Sequence, residues 1–322
     1  MDKRILQGTC LNVSRVCFGT MTFGSQTDEP AACRMIDSCL DAGINFLDTA
    51  NAYNGGASEK ILGRCIQGKR DRVVLATKVR NRMGEGAGMN GLSRAAIMRA
   101  IDDSLRRLGT DYVDLYYLHL PDYDVPIEET LAAMEELVRA GKVRYPASSN
   151  YSGWQVVQML ALAGAKGYTP AKVTQPMYNL IARGIEQEYL PMCKELGVST
   201  VVYNPLAGGL LTGKQTEQAP LPGTRFDNNK MYLDRYWHPQ DFAAVEELKA
   251  ISERINRSPI SLSLCWLYYH TASDCIILGA SRQEHLEWNL KVLEDGPLDA
   301  ETLKACDQVW NKLRGPAPQY NR

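Results

Sequence analysis

A chain of 322 residues can bury a large core, and α/β barrels of this length routinely form one undivided domain. Its 36 Lys and Arg stand against 37 Asp and Glu, so no global positive field or basic tail favours nucleic acid or an anionic membrane, and a small neutral partner is expected. Nine cysteines, an odd number with no CxxC or CxxH pair, argue against zinc and against a disulfide framework and read as reduced, mostly buried thiols; no apolar leader and no span of roughly 20 apolar residues is seen, which points to the cytoplasm.

In chain order, eight short runs rich in Val, Ile, Leu and Tyr read as strands: RVCFG (15–19), INFLD (44–48), RVVLATK (72–78), YVDLYYLH (112–119), KVRYPAS (142–148), KVTQP (172–176), VSTVVYNP (198–205) and DCIILGA (274–280). Amphipathic stretches separate them. RAAIMRAIDDSLRRL is one helix, with Ser93 placed to cap it and Gly109 to end it. Strands alternating with helices imply a parallel sheet, and near-continuous apolar strands imply that both of its faces are covered. Eight such units predict a closed (β/α)8 TIM barrel with its active site at the C-terminal ends of the strands. Residues 81–92 and 207–240 break the period and read as loops. The second carries Tyr232, Tyr236 and Trp237, which either wall a substrate pocket or pack the loop down. No linker or repeat interrupts the chain, so residues 1–322 are expected to form a single domain.

Polar residues follow the apolar runs: Asp48 ends the second, Thr77 and Lys78 the third, His119 the fourth, Ser149 and Asn150 the fifth, Gln175 the sixth, Tyr203 and Asn204 the seventh. In a parallel barrel these ends converge on one face. A buried Lys78 needs a counter-charge, and Asp48 can supply it. An ammonium directed at the Tyr53 hydroxyl then favours the phenolate and lowers a pKa that starts near about 10, which lets tyrosine serve as an acid or base near neutral pH. His119 can orient a substrate oxygen. Proton donation to a carbonyl oxygen describes a reduction, and since no side chain donates hydride, a nicotinamide is the expected source.

GTMTFG, LDTANAYNGGASEKILG, LATKV, LGTDYVDLYYLHLPD, SSNYS, TQPMYN and YNPLAGGLLTGK, in this order and spacing, resemble the aldo/keto reductase superfamily over about the whole chain. The resemblance implies a barrel binding NADPH or NADP+ in extended form and a small-molecule carbonyl substrate. It places a catalytic tetrad on Asp48, Tyr53, Lys78 and His119. It assigns Ser149, Asn150 and Gln175 to the nicotinamide carboxamide, Tyr203 to stacking on its ring, and Leu206, Gly208, Leu211 and Lys214 to the segment facing the pyrophosphate. Ser281 and Arg282, in the first turn of a helix after the last strand, fall where the adenosine 2′-phosphate is held, which suits a helix N-terminus and a guanidinium. Thr20, Met21, Gly279 and Asn289 complete the expected cofactor contacts, with Phe23 and Trp237 at the substrate.

Some positions depart from the family pattern. Asn54 replaces a common glycine after the tyrosine, which Asn tolerates through its ease in left-handed conformations. Pro146, Ala147 and Ser148 replace Ile-Gly-Val, and a proline inside a strand predicts a bulge or an early strand end. His285 and Trp288 stand where Gln and Glu are common, which unsettles the adenine contacts. GAGMNG (86–91) matches GxGxxG but starts seven residues past Val79, so it reads as a flexible loop near the pocket mouth. His238, His270 and His285 have no clustered ligands and read as surface or packing residues. The reading is an NADPH-dependent reductase of aldehydes or ketones. The alternative is a cofactor-sensing subunit like the potassium-channel β subunits, against which the early first strand, starting near Arg15 with no long extension before it, is weighed.

Overall fold

The computed structural model describes residues 1–86, 88–317 and 321. A short antiparallel hairpin, β1 (Lys3–Ile5) with β2 (Asn12–Ser14), opens the chain. Then β3 (Val16–Gly19), α1 (Glu29–Asp41), β4 (Phe46–Asp48), α2 (Ala57–Cys65), β5 (Val74–Val79), α3 (Arg94–Leu108), β6 (Val113–Leu118), α4 (Ile127–Arg139), β7 (Val143–Ser149), α5 (Gly153–Lys166) and β8 (Val173–Gln175) alternate. They are followed by α6 (Tyr189–Leu196), β9 (Ser199–Val202), α7 (Lys230–Tyr236), α8 (Pro239–Arg254), α9 (Pro259–Tyr269), β10 (Cys275–Gly279), α10 (Gln283–Lys291) and α11 (Ala300–Arg314). The strands β3 to β10 close into a parallel barrel in the order β10-β3-β4-β5-β6-β7-β8-β9, the (β/α)8 architecture expected. Every predicted barrel strand is present.

The chain divides into two compact units, one of residues 1–176, 191–201 and 274–286, the other of residues 177–190, 202–273 and 287–322. In the first, the strands are buried along nearly their whole length because the interior takes one face and helices the other. Caps set the helix ends: the Ser93 hydroxyl accepts from Ala96 N–H, and Gly109 turns the chain out of α3 at φ 63°. The hairpin, absent from the sequence reading, meets the N-terminal ends of the barrel strands. Gln7 N–H donates to Ser199 Oγ, Cys10 N–H to the Tyr145 hydroxyl, and Leu6, Leu11 and Val13 are buried.

Two further expectations fail in this unit. Cys33 and Cys65 form a disulfide between α1 and α2, against the reading that all nine cysteines are reduced. Side-by-side packing of these helices brings the two Cα atoms to 4.7 Å across 32 residues, a relation no short spacing encodes. Pro146 causes neither a bulge nor an early end: β7 pairs with β6 in unbroken register from Tyr145 to Ser148. β8 is three residues long and joins β7 only at Ser148 and Ser149, so on that side no ladder reaches Pro146 and the missing donor breaks nothing.

In the second unit, α11 and α9 pack on α8, Lys312 Nζ reaches Glu247 at 2.6 Å, and Tyr178 meets Trp266 edge to face at 5.3 Å. Residues 207–240 are more ordered than a loop: they hold a 3-10 segment, Ala207–Thr212, and α7. The aromatic load explains this order, since Phe226 contacts both Tyr232 and Trp237, and Trp237 meets Phe242 at 4.9 Å.

Candidate active site

Beyond β4 the chain continues alongside β5, with Thr49 N–H donating to Ala76 O and Asn51 N–H to Lys78 O. It then reverses through Asn54, Gly55 and Gly56 at φ of 51°, 62° and 90°. At Gly56 a side chain is excluded twice, by the left-handed backbone and because a Cβ would lie 2.9 Å from Arg107 Cδ. The Asn54 amide donates to the carbonyls of Met21 and Phe23 at 2.8 and 2.7 Å, which ties the turn to the segment after β3. Ser58 Oγ, in the first turn of α2, donates to Thr20 O at 2.8 Å. Tyr53 is thereby held between two anchored strand ends.

Lys78 is fully buried. Its ammonium pairs closely with Asp48 Oδ1 and donates to Thr49 O at 2.8 Å and to the Tyr53 hydroxyl at 3.2 Å, one partner for each N–H. Burial alone pulls the Lys78 pKa down, but the Asp48 carboxylate and Tyr53 outweigh it and the net shift is upward, so the buried charge is retained. The other Asp48 oxygen accepts from Gln175 Nε2 at 2.9 Å. Next to Lys78 on the strand, Thr77 donates to Glu59 Oε1 at 2.5 Å, and Glu59, itself fully buried, pairs with Arg107 at 2.6 Å. This second buried ion pair bolts α2 to β5 and α3. The sequence reading passed over it, although an acid within the apolar face of a helix requires a cation and was a signal.

His119 follows β6, its N–H donating to Val79 O and its carbonyl accepting from Asn150 Nδ2 at 2.8 Å. The ring lies 5.9 Å from the Tyr53 ring at 77°, edge to face. Burial, reinforced by the Lys78 charge, pushes its pKa down to about 3, so the imidazole is neutral at physiological pH. An unfolded histidine titrates near 6.5, so as pH falls the unfolded chain binds a proton before the folded one does, and stability is lost from about pH 6.5 toward about 3. Denaturant titrations at pH 7 and 4.5 are expected to show the wild type losing roughly 2–3 kcal/mol more than His119→Gln; equal losses would contradict a neutral ring.

The structure thus gathers Asp48, Tyr53, Lys78 and His119 at adjoining strand ends of the barrel. The sequence of residues 15–311 matches the model of the aldo/keto reductase family. The chain belongs to the aldo/keto reductase family. It is 36% identical over 337 residues to aflatoxin B1 aldehyde reductase member 2 of Rattus norvegicus, covering 99% of this chain and 90% of that protein. It is 36% identical to aldo-keto reductase YhdN of Bacillus subtilis (strain 168), covering 99% and 97% of the two chains. To a probable voltage-gated potassium channel subunit beta of Oryza sativa subsp. japonica it is 34% identical, covering 92% and 93%.

The remaining expected site residues lie partly in the first unit and partly in the second. In the first, Ser149 ends β7 and donates to Gln175 O at 2.9 Å, and Asn150 follows at φ 62°, its side-chain amide donating a hydrogen bond to Ser149 Oγ at 3.0 Å. Gln175 donates its amide to Asp48, which leaves Oε1 as an acceptor. Gly279 ends β10, and Ser281 and an exposed Arg282 stand immediately before α10, where Arg282 O accepts from His285 and Leu286 N–H. Thr20 is buried on Asp48 O and Ser58, Met21 is half-buried, and Phe23 is fully buried against Phe18 at 6.0 Å.

In the second unit, Tyr203 pairs with Met177, Leu206 leads into the 3-10 segment, Leu211 and Asn289 are buried, and Lys214 is exposed. Gly208 has a local reason to be glycine: at φ 70°, a Cβ there would lie 2.7 Å from the Tyr232 ring. The Trp237 ring is held by Phe226 and Phe242, and its indole N–H donates to Glu217 O at 3.1 Å. Within GAGMNG, Met89 N–H reaches Gly86 O, and Ala87 lies outside the described residues. The other histidines are engaged locally, His270 Nε2 accepting from Leu298 N–H at 2.7 Å.

Proposed function

We propose that this protein reduces an aldehyde or ketone to the alcohol, with NADPH as the hydride source and Tyr53 as the proton donor. One observation carries this reading: a single buried ammonium, Lys78, touches both the Asp48 carboxylate and the Tyr53 hydroxyl. When bound, the nicotinamide supplies the hydride that adds to the carbonyl carbon. The C=O electron pair then moves to oxygen, and the Tyr53 O–H bond breaks to give that oxygen its proton. The phenolate left behind is stabilised by the Lys78 ammonium, whose own charge is secured by Asp48. Neutral His119 orients the substrate oxygen without competing to protonate it.

The donor and acceptor set supports a nicotinamide. The Gln175 Oε1 acceptor suits the NH2 of a carboxamide and lies beside the Ser149 hydroxyl, whose own proton goes to Gln175 O. Arg282, exposed at the start of α10, suits a 2′-phosphate, because the guanidinium adds bidentate hydrogen bonds to those of free helix N–H groups. Arg282→Ala is expected to raise the KM for NADPH on the order of tenfold and to leave the KM for NADH nearly unchanged, in steady-state assays with each cofactor. Equal effects would reject the phosphate role.

The function itself is tested by following NADPH oxidation against sugars, aliphatic aldehydes, aromatic aldehydes and ketones. The similarity to a probable channel β subunit supports a second reading, a cofactor-sensing binding subunit. Multiple turnovers on any class of the panel favour the reductase, and a single slow turnover on all of them favours the subunit.

A further inference from the structure

Asn81 lies in the segment after β5, three residues past Lys78, and its amide Nδ2 is 3.2 Å from His119 Nδ1. An amide N–H can only donate, so Nδ1 of a neutral ring must accept and the ring proton must sit on Nε2. Nε2 has no protein partner among the described residues, which leaves that N–H open to a ligand. The ring's other ionisable neighbours, Tyr53 edge to face and the Lys78 ammonium, do not bond to Nδ1. With the amide reversed, Oδ1 would accept from Nδ1–H, and Nε2 would present a lone pair to a carbonyl lone pair, which is repulsive.

We propose that Asn81 is a positioning residue that holds His119 as the Nε2–H tautomer, so that the ring gives a hydrogen bond to the substrate oxygen. The proposal rests on the reductase reading for its consequence in turnover, but the tautomer itself can be measured without cofactor or substrate. Backbone bonds at His119 N–H and C=O fix where the residue sits and leave rotation of the ring free. Asn81 therefore supplies the side-chain constraint that selects the proton's position.

Substitution at this site is tolerable. Asn81 lines a cleft of about 90 Å³ together with Asn51, Arg80, Met83 and Met89, so shortening the side chain widens existing space and creates no sealed cavity.

The test is ¹⁵N NMR of the full chain labelled at histidine, with His119 assigned by its loss in His119→Gln. The wild type is expected to show a protonated Nε2 and an unprotonated Nδ1. Asn81→Ala should move both nitrogens toward the averaged values of mixed tautomers and lower kcat on the order of 10- to 100-fold, with NADPH affinity unchanged. Asn81→Asp should invert the pattern to Nδ1–H and lower kcat further, since a carboxylate accepts where the amide donated. A wild-type ring protonated on Nδ1 overturns the proposal, as does an Asn81→Ala ring that stays wholly Nε2–H. Mixed tautomers with an unchanged kcat would equally reject the role in turnover. If no carbonyl is reduced at all, the reductase reading fails while the tautomer shifts stand or fall by themselves.

Discussion

Tyr53→Phe is expected to lower kcat by roughly 10²- to 10⁴-fold and to leave the dissociation constant of NADPH unchanged. The change removes one oxygen atom. It keeps the ring, and with it the edge-to-face contact with His119 at 5.9 Å. It also leaves the Lys78 ammonium two of its three acceptors, the Asp48 carboxylate and Thr49 O, so the buried charge stays compensated and the barrel should remain folded. What disappears is the proton that the nascent alkoxide requires. Stopped-flow turnover with a substrate identified from the panel, paired with a fluorescence titration of NADPH, separates chemistry from binding. Unchanged kcat would remove Tyr53 from the reaction, and a parallel loss of NADPH affinity would show that the variant has perturbed the pocket instead.

Breaking the Asp48–Lys78 pair should cost more in stability than any other single change at this site. Asp48→Asn leaves a fully buried ammonium without its carboxylate, and loss of one partner of a buried pair typically costs about 3–5 kcal/mol. With the carboxylate gone, burial is opposed by Tyr53 alone, and Lys78 is expected to shed its proton more readily in the folded variant while retaining it in the unfolded chain up to about pH 10.4. Unfolding of the variant then takes up a proton, so its stability should rise with pH between about 7 and 10. The wild type lacks this slope: its Lys78 pKa is raised, so the pair's contribution is complete below about pH 10.4 and declines only as pH climbs through the higher folded value. Guanidinium denaturation of both proteins across this range measures the two slopes. The double variant Asp48→Asn, Lys78→Met should be less destabilised than Asp48→Asn alone, because removing both charges avoids leaving either one buried and unpaired. Additive losses would mean that the two groups act independently.

The eight barrel strands were legible because a strand buried on both faces must be an uninterrupted apolar run, as in VVLATKV and YVDLYYL. Helix limits at Ser93 and Gly109 were legible for local reasons, cap chemistry and backbone sterics, and so was the left-handed Asn54. The hairpin of β1 and β2 was not, since three-residue strands show no periodicity. Pro146 was misjudged because its effect depends on the length of the neighbouring strand β8, a property of another segment. The Cys33–Cys65 bond depends on how two helices lie together. At the candidate site, charge balance pointed to Asp48 and Lys78, the strand-end pattern pointed to His119, and family resemblance joined these with Tyr53 as a tetrad. The side-chain bonds from Asn81 to His119 and from Gln175 to Asp48 depend on rotamers and on residues up to 127 positions apart, and nothing in the local pattern announces them.

The two bonds from the Asn54 amide to the carbonyls of Met21 and Phe23 couple parts of the molecule that sequence keeps apart. They make the turn carrying Tyr53 and the segment carrying Phe23 one mechanical piece, braced again by Ser58 on Thr20. On the proposed reading, a substrate that displaced the segment carrying Phe23 would drag the phenol out of line with it, so poor fit would be felt as slow chemistry more than as weak capture.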